Sequence, residues 1–284
     1  MNTVKTALLL GLLTAILMVG GEALGGRHGL YIGLAFAVVM NFASYFFSDK
    51  IALMSYSAEP VTPQENSEVY SRVYPIVHGA TSRMGLPMPK LWLIQDPSPN
   101  AFATGRNPEH ASVAFTAGIL PLMTDRELEG VIMHELGHVK HRDILISSVA
   151  ATIAGAITFL ARMAFFFGPR RDDDDEGGGL GGLFMLILAP IAALLIQMAI
   201  SRTREYDADE ASAHYTGDPS ELISALRKLE TWSQRVPLDA PPSTAHLFII
   251  KPFTGASLMR LFSTHPSTED RIARLQAMQR ELTH

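Results

Sequence analysis

His134-Glu135-Leu136-Gly137-His138 sets two imidazoles four residues apart, and that spacing decides how the chain is read. On a helix, positions i and i+4 share one face, so both rings can reach one metal ion. Glu135 projects to the side, where it reaches water at such an ion rather than the ion itself. Zinc-assisted hydrolysis needs that division of labour. A helix start lies just upstream. Thr124-Asp125-Arg126-Glu127 has the form of a capping box, with Thr124 as N-cap and Glu127 at N3. Leu128, Val131, Ile132 and Leu136 then recur at helical spacing.

The chain has 284 residues, 48% of them hydrophobic, and a mean hydropathy of +0.17. That is too apolar for an average soluble protein and too polar for a bundle made only of membrane spans. Four apolar segments stand out, at residues 6–24, 30–47, 144–167 and 180–200. Each is near the roughly 20 residues a span requires. Glu22 in the first and Arg162 in the third are their only charges, and Pro190 interrupts the fourth. The first two read as an anchoring hairpin rather than a signal peptide, because a second span follows at once and no clear small-residue cleavage site separates them. The second two read as another pair of spans, with buried core helices as the alternative. The net charge of −5 gives no nucleic-acid signal. The absence of cysteine excludes disulfides, thiolate ligands and a thiol nucleophile. A transition-metal site must then use His and carboxylates, which suits zinc.

Lys5, Lys50, Lys140, Arg142, Arg202 and Arg204 fall on one side of these segments, and Arg27, Arg170 and Arg171 on the other. This bias puts the polar portions and both termini of a multi-pass membrane protein in the cytoplasm. The expected fold is a membrane protein with helical spans and an α+β, zincin-like domain, mainly helical with a small sheet. A hairpin of spans occupies residues 1–48. The first part of the polar domain follows at 49–143, a second hairpin with an acidic Gly-rich loop at 144–200, and the second part of the domain at 201–284. Within the domain, helices are expected at 66–84, 220–229 and 267–282, and strands at 90–95 and 111–116. A Pro-rich stretch lies at 237–242. Pro99-Asn100-Ala101-Phe102-Ala103-Thr104-Gly105 reads as an edge strand.

A catalytic zinc takes three protein ligands and leaves one position open. His141 is close to the pentad in sequence, but a third ligand must approach from another element. In Arg204-Glu205-Tyr206-Asp207-Ala208-Asp209, Glu205 and Asp209 share a helix face. Glu205 would bind the metal, and Asp209 would accept the free N–H of a ligating histidine. On spacing alone, an ordinary charged helix leaving the membrane is an equal reading.

These residues together carry a resemblance. The chain resembles the HtpX-type membrane zinc metalloproteases of peptidase family M48, which are gluzincins. The likeness runs through two N-terminal spans, Asn100–Gly105, the pentad, two further spans, Ser201-Arg202-Thr203-Arg204-Glu205-Tyr206-Asp207-Ala208-Asp209, and His265-Pro266 followed by Arg271-Ile272. It implies one Zn2+ per chain held by His134, His138 and Glu205, with Glu135 as catalytic base. It also implies an extended polypeptide substrate paired with Asn100, Ala101, Phe102 and Ala103. His265 and Arg271 become candidates for steadying the transition state or orienting other groups. His214 and Tyr215, two turns past Asp209, are further candidates, whereas His78 and His110 read as structural or surface residues. The implied role is quality control of damaged or misfolded membrane proteins, with the bilayer and quality-control proteins as partners. Two alternatives are a CaaX-type prenyl-protein protease, which would need more spans, and a membrane zinc-binding scaffold or transporter without hydrolysis.

Overall fold

The computed structural model describes residues 2–147, 149, 150, 153, 202–233, 249 and 266–282. The chain opens with a helical hairpin, α1 (Asn2–Phe46), broken where Gly25 and Gly26 leave helical geometry. Gly26 has φ +57, a conformation glycine adopts without a Cβ penalty. The two arms contain the apolar stretches Val4–Glu22 and Gly25–Phe46. They touch at glycines: a Cβ on Gly21 would strike the Gly29 carbonyl, and one on Gly33 the Leu17 carbonyl. One polar tie crosses the arms, Asn41 Nδ2 donating to Thr14 Oγ1 at 2.8 Å. Most of the second expected hairpin lies outside the described residues. Its first turns do not: Ile146, Val149, Ala150 and Ile153 bury against Leu9, Leu13, Leu17 and Ala37 of α1.

A short helix, α2 (Ser48–Ser55), leads into the polar domain through β1 (Glu59–Pro60) and α3 (Ser67–Met84). Then come β2 (Lys90–Ile94), β3 (Ala101–Gly105), β4 (Ala111–Thr116) and α4 (Ile119–Leu122). The sheet order is β1-β2-β4-β3, with β2 and β4 parallel and the outer pairs antiparallel. β3 is therefore an edge strand, as its sequence predicts. One face of the sheet, through Ala101, Ala103, Val113 and Phe115, joins the main core. The other face carries Phe102 and Ala114 onto Ala52 and Leu53 of α2.

The pentad helix is α5 (Asp125–Lys140), and its buried residues run through the centre of that core. It is followed by α6 (Arg202–Thr216), α7 (Ser220–Ser233) and α8 (Thr268–Leu282). The expected helices and strands are all present, with ends shifted by a few residues. The largest shift is at α7, which runs on to Ser233. The Pro-rich stretch at 237–242 and the acidic loop lie outside the described residues. α5 carries glycines where other helices cross it. A Cβ on Gly130 would come within 3.0 Å of the Leu222 nitrogen in α7. One on Gly137 would come within 3.1 Å of Ala208 Cα in α6.

The expected capping box is formed. Thr124 Oγ1 accepts the Glu127 N–H at 3.3 Å, and Glu127 Oε2 accepts the Thr124 N–H at 2.8 Å. Glu127 also reaches a second helix, accepting from Lys228 Nζ and from Ser224 Oγ, each at 2.6 Å. Burial pushes its carboxyl pKa up, but the Lys228 ammonium and the Ser224 and Thr124 donors outweigh that and hold it at about 2. A group whose folded pKa is depressed stabilises the fold fully above its unfolded value and loses that contribution as pH falls toward the folded one. Thermal unfolding of the detergent-solubilised protein should show Glu127→Gln destabilised at neutral pH by about 2 kcal/mol. The gap to wild type should close between about pH 4.5 and 2. A gap that is constant across this window would show that the Glu127 charge contributes nothing.

Candidate metal centre and active site

α5 and α6 come together at Gly137 because nothing but hydrogen occupies that side of α5. The crossing sets Glu205, one turn before Ala208, opposite the two pentad histidines. His134 Nε2 lies 3.6 Å from Glu205 Oε2, and His138 Nε2 lies 3.5 Å from Glu205 Oε1. The ligand atoms of all three residues fall within 4.8 Å of one another. Separations of 3.5–3.6 Å are too long for good hydrogen bonds. They are close to the roughly 3.3 Å between neighbouring ligand atoms of a tetrahedral zinc with bonds near 2.0–2.1 Å. Two neutral imidazoles and a carboxylate are a zinc donor set, so the residues present fit one such ion.

Each histidine has a carboxylate at its other nitrogen. His134 Nδ1 lies 2.9 Å from Asp209 Oδ1. Asp209 in turn is gripped by Arg271, with Nε to Oδ2 at 2.9 Å and Nη2 to Oδ1 at 2.6 Å. Arg271 is only 2% exposed and also donates to the Ile249 carbonyl at 2.9 Å. Its Nη2 stands 3.3 and 3.4 Å from the two His134 ring nitrogens and so is aimed at neither lone pair. Burial first, then the Arg271 cation, lowers the His134 pKa and favours the neutral ring that binds metals. Burial raises the Asp209 pKa, but Arg271 overrides this and keeps the group below its ordinary value.

His138 has a looser neighbour in Asp143, which lies at ion-pair rather than hydrogen-bond distance and has no comparable signal in the sequence. α5 ends in a turn where Arg142 adopts φ +59. The Arg142 N–H bonds to the Val139 carbonyl, and the Asp143 N–H to the His138 carbonyl at 2.9 Å. This turn folds Asp143 back beside the ligand, with Oδ2 3.6 Å from His138 Nδ1. Arg204 Nη1 lies 3.8 Å from the other Asp143 oxygen. Both Asp143 and Arg204 are buried. The only sequence signal was the acid just past the end of α5, and a helix stop at a non-glycine hides it.

Glu135 lies on the same helix but faces β3. Its Oε2 accepts the Ala103 N–H at 2.9 Å. Asn100 turns the other way: its N–H and C=O both pair with Thr116, and its side-chain oxygen accepts the Ile249 N–H at 3.2 Å. Main-chain groups alternate along a strand, so those of Ala101 and Ala103 face away from β4 and those of Phe102 face toward it. The Asn100 Nδ2 is buried and has no hydrogen-bond partner among the described residues. Burial, reinforced by the Glu205 charge, pushes the Glu135 pKa up to about 7 against the pull of His138, the Ala103 N–H and Arg271.

Of the other candidates, His265 lies outside the described residues. His214 is exposed and packs edge-on against Tyr215, whose ring sits under Lys140 at 4.8 Å. His78 stacks on Tyr74, and His110 bonds with Asn107 and Arg106 in the β3–β4 turn.

A family description for peptidase family M48 matches residues 63–279. The chain belongs to peptidase family M48. Among curated relatives, the Protease HtpX homolog of Desulforapulum autotrophicum is 52% identical, over 97% of this chain and 89% of the relative. The Protease HtpX homolog of Methylibium petroleiphilum is 49% identical over 98% of both chains. The crystal structure of S. mikatae Ste24p shares the fold, with a TM-score of 0.50 at 18% identity. That match covers 96% of this chain and 65% of the Ste24p chain. The protein is thus a membrane-anchored zinc metalloendopeptidase.

Asp209→Ala should lower zinc affinity by about 10- to 100-fold, and Asp143→Ala by a similar or smaller factor. Competition with a chromophoric chelator checks both. Wild-type affinity in Asp143→Ala would show that its place beside His138 is incidental.

Proposed function

We propose that His134, His138 and Glu205 hold the zinc, that Glu135 is the general base, and that the chain cuts damaged or misassembled membrane proteins. The observation that carries this reading is the bond between Ala103 and Glu135. It supports a base held against the strand along which an extended polypeptide would lie. In this reading a substrate adds a strand to the β3 edge through the main-chain groups of Ala101 and the carbonyl of Ala103, whose N–H is held by Glu135, and main-chain pairing gives affinity with little sequence selectivity. The Asn100 amide, without a partner among the described residues, offers a donor to a substrate carbonyl, and Phe102 anchors the strand from beneath by packing on α2. Zinc, when bound, supplies Lewis-acid polarisation of the scissile carbonyl and acidification of water.

Glu135 accepts the proton of the attacking water and passes it to the leaving amine. Its raised pKa suits both halves of that transfer near neutral pH. Asp209 fixes the His134 ring and its tautomer, and Asp143 steadies His138. Arg271 serves as a positioning residue, since its hydrogen bonds are spent on Asp209 and Ile249. His265 remains a candidate donor to the developing oxyanion.

Residues 1–48 and 144–200 would form two hairpins of spans that flank the two parts of the protease domain at 49–143 and 201–284. The domain would face the cytoplasm from a bacterial inner membrane. The burial of Ile146, Val149 and Ala150 against α1 supports a third span that continues alongside the first hairpin. Quality-control proteins of the same membrane are the expected partners.

Glu135→Gln should keep its zinc and lose peptide cleavage by at least about 100-fold. Glu205→Ala should instead lose zinc. Casein cleavage in detergent and metal analysis of the same samples check the pair. Unchanged cleavage by Glu135→Gln would remove it as base, and full zinc retention by Glu205→Ala would remove it as ligand. A cysteine placed at Asp174 should be labelled from outside the cell, and protection there would mean that the second hairpin does not cross.

A further inference from the structure

The second arm of α1 ends in rings. Phe42, Tyr45, Phe46 and Phe47 are 56%, 38%, 40% and 43% exposed, and Lys50 Nζ lies 5.4 Å over the Phe47 ring. Of these, Tyr45, with Lys50 just beyond it at the end of an apolar helix, marks the headgroup level of a bilayer. The chain does not loosen there. Phe47 N–H bonds to the Ala43 carbonyl and Ile51 N–H to the Phe47 carbonyl, each at 2.8 Å, so helical hydrogen bonding bridges α1 and α2. α2 then packs under the sheet, with Ala52 and Leu53 against Phe102, and the Tyr56 ring 5.8 Å from that of Phe102.

A second tie closes the same distance from the other side. Arg106, the residue after β3, holds its guanidinium 5.3 Å over the Phe46 ring. Its Nη2 is 2.8 Å from His110 Nε2, and His110 Nδ1 is 2.7 Å from Asn107 Oδ1. β3 is thereby fixed at one end to the last residue of the membrane helix and, at Ala103, to Glu135.

We propose that β3 sits at the bilayer surface and acts as a ruler, so that the site cuts polypeptide close to where it leaves the lipid. This rests on the peptidase reading above. From Ala103 to Arg106 is about 10 Å at the rise of a strand. A substrate strand beside β3 advances at the same rise, and the headgroup layer is about 5–7 Å deep on each side. The bond beside Glu135 is then about three to five residues from the end of a substrate's span. The substrate class is the juxtamembrane stretch of membrane proteins, unfolded enough to lie flat along an edge strand. A fully folded juxtamembrane segment cannot do so.

The test uses the full chain in liposomes with single-span reporters. Each carries the same unstructured cleavable stretch, placed about 5, 10, 15 or 20 residues from the span by a Gly/Ser linker. Cleavage should be fastest at the shortest separation and fall at least about tenfold by the longest. Steric access alone predicts the opposite trend. Arg106→Glu should flatten the profile, while its chelator-sensitive casein cleavage in detergent stays at the wild-type rate. A wild-type profile that is flat, or that rises with distance while casein is still cut, overturns the ruler and leaves the peptidase reading intact. Zinc-loaded protein that cuts neither casein nor any reporter overturns the peptidase reading itself.

Discussion

Two helices from separate parts of the chain meet at a single hydrogen atom. Gly137 lets α6 approach α5 until Ala208 touches its backbone, and this closeness sets the distance between Glu205 and the pentad histidines. A side chain at 137 would push α6 outward, and the 3.5–3.6 Å separations that suit one ion would open together. Leu128 and Ile132, fully buried on the same helix, hold the opposite face of α5 and leave it no room to retreat. The metal centre is a by-product of helix packing, with geometry that is stiff because the packing is.

That stiffness carries an electrostatic cost. His134, Glu135, Glu205, Asp209 and Arg271 are all nearly excluded from water. Removing one member of such a buried set leaves its partner's charge uncompensated, at a cost on the order of 3–5 kcal/mol. Arg271 answers the negative charge of Asp209 directly and stands 3.6 Å from Glu205. The cluster therefore keeps a counter-charge of its own, independent of any bound ion. Glu127 plays a related part at the other end of α5, where one carboxylate both caps the helix and ties it to α7.

Local signals made α5 legible in the sequence: a capping box, apolar residues at helical period, and two histidines one turn apart. The pairing of Glu205 with Asp209 is visible for the same reason, because both lie within one turn of a single helix. β3 was legible as a strand because prolines precede it and a glycine ends it. What the residues did not reveal depends on long-range contact or on unusual turns. Arg271 bonds to a carboxylate 62 positions away and to a carbonyl 22 positions away, and no periodicity encodes either. Asp143 reaches His138 only because Arg142 accepts a left-handed conformation, which a sequence rule assigns to glycine or asparagine. Asn100 was read as part of the pairing edge, but its main-chain groups belong to Thr116.

The position of Arg271 on α8 has a consequence for synthesis. A ribosome completes α5 well over a hundred codons before it reaches this residue. At roughly 5–20 residues per second, the nascent chain spends several seconds or more with its histidines made and their clamp not yet translated. Asp209 emerges in that interval without its cation. A chain truncated before α8 would keep the pentad and the third carboxylate yet lack the countercharge that lets them be buried together. Arg271 thus brings, from a helix made long after α5, the cation against which the earlier carboxylates are buried.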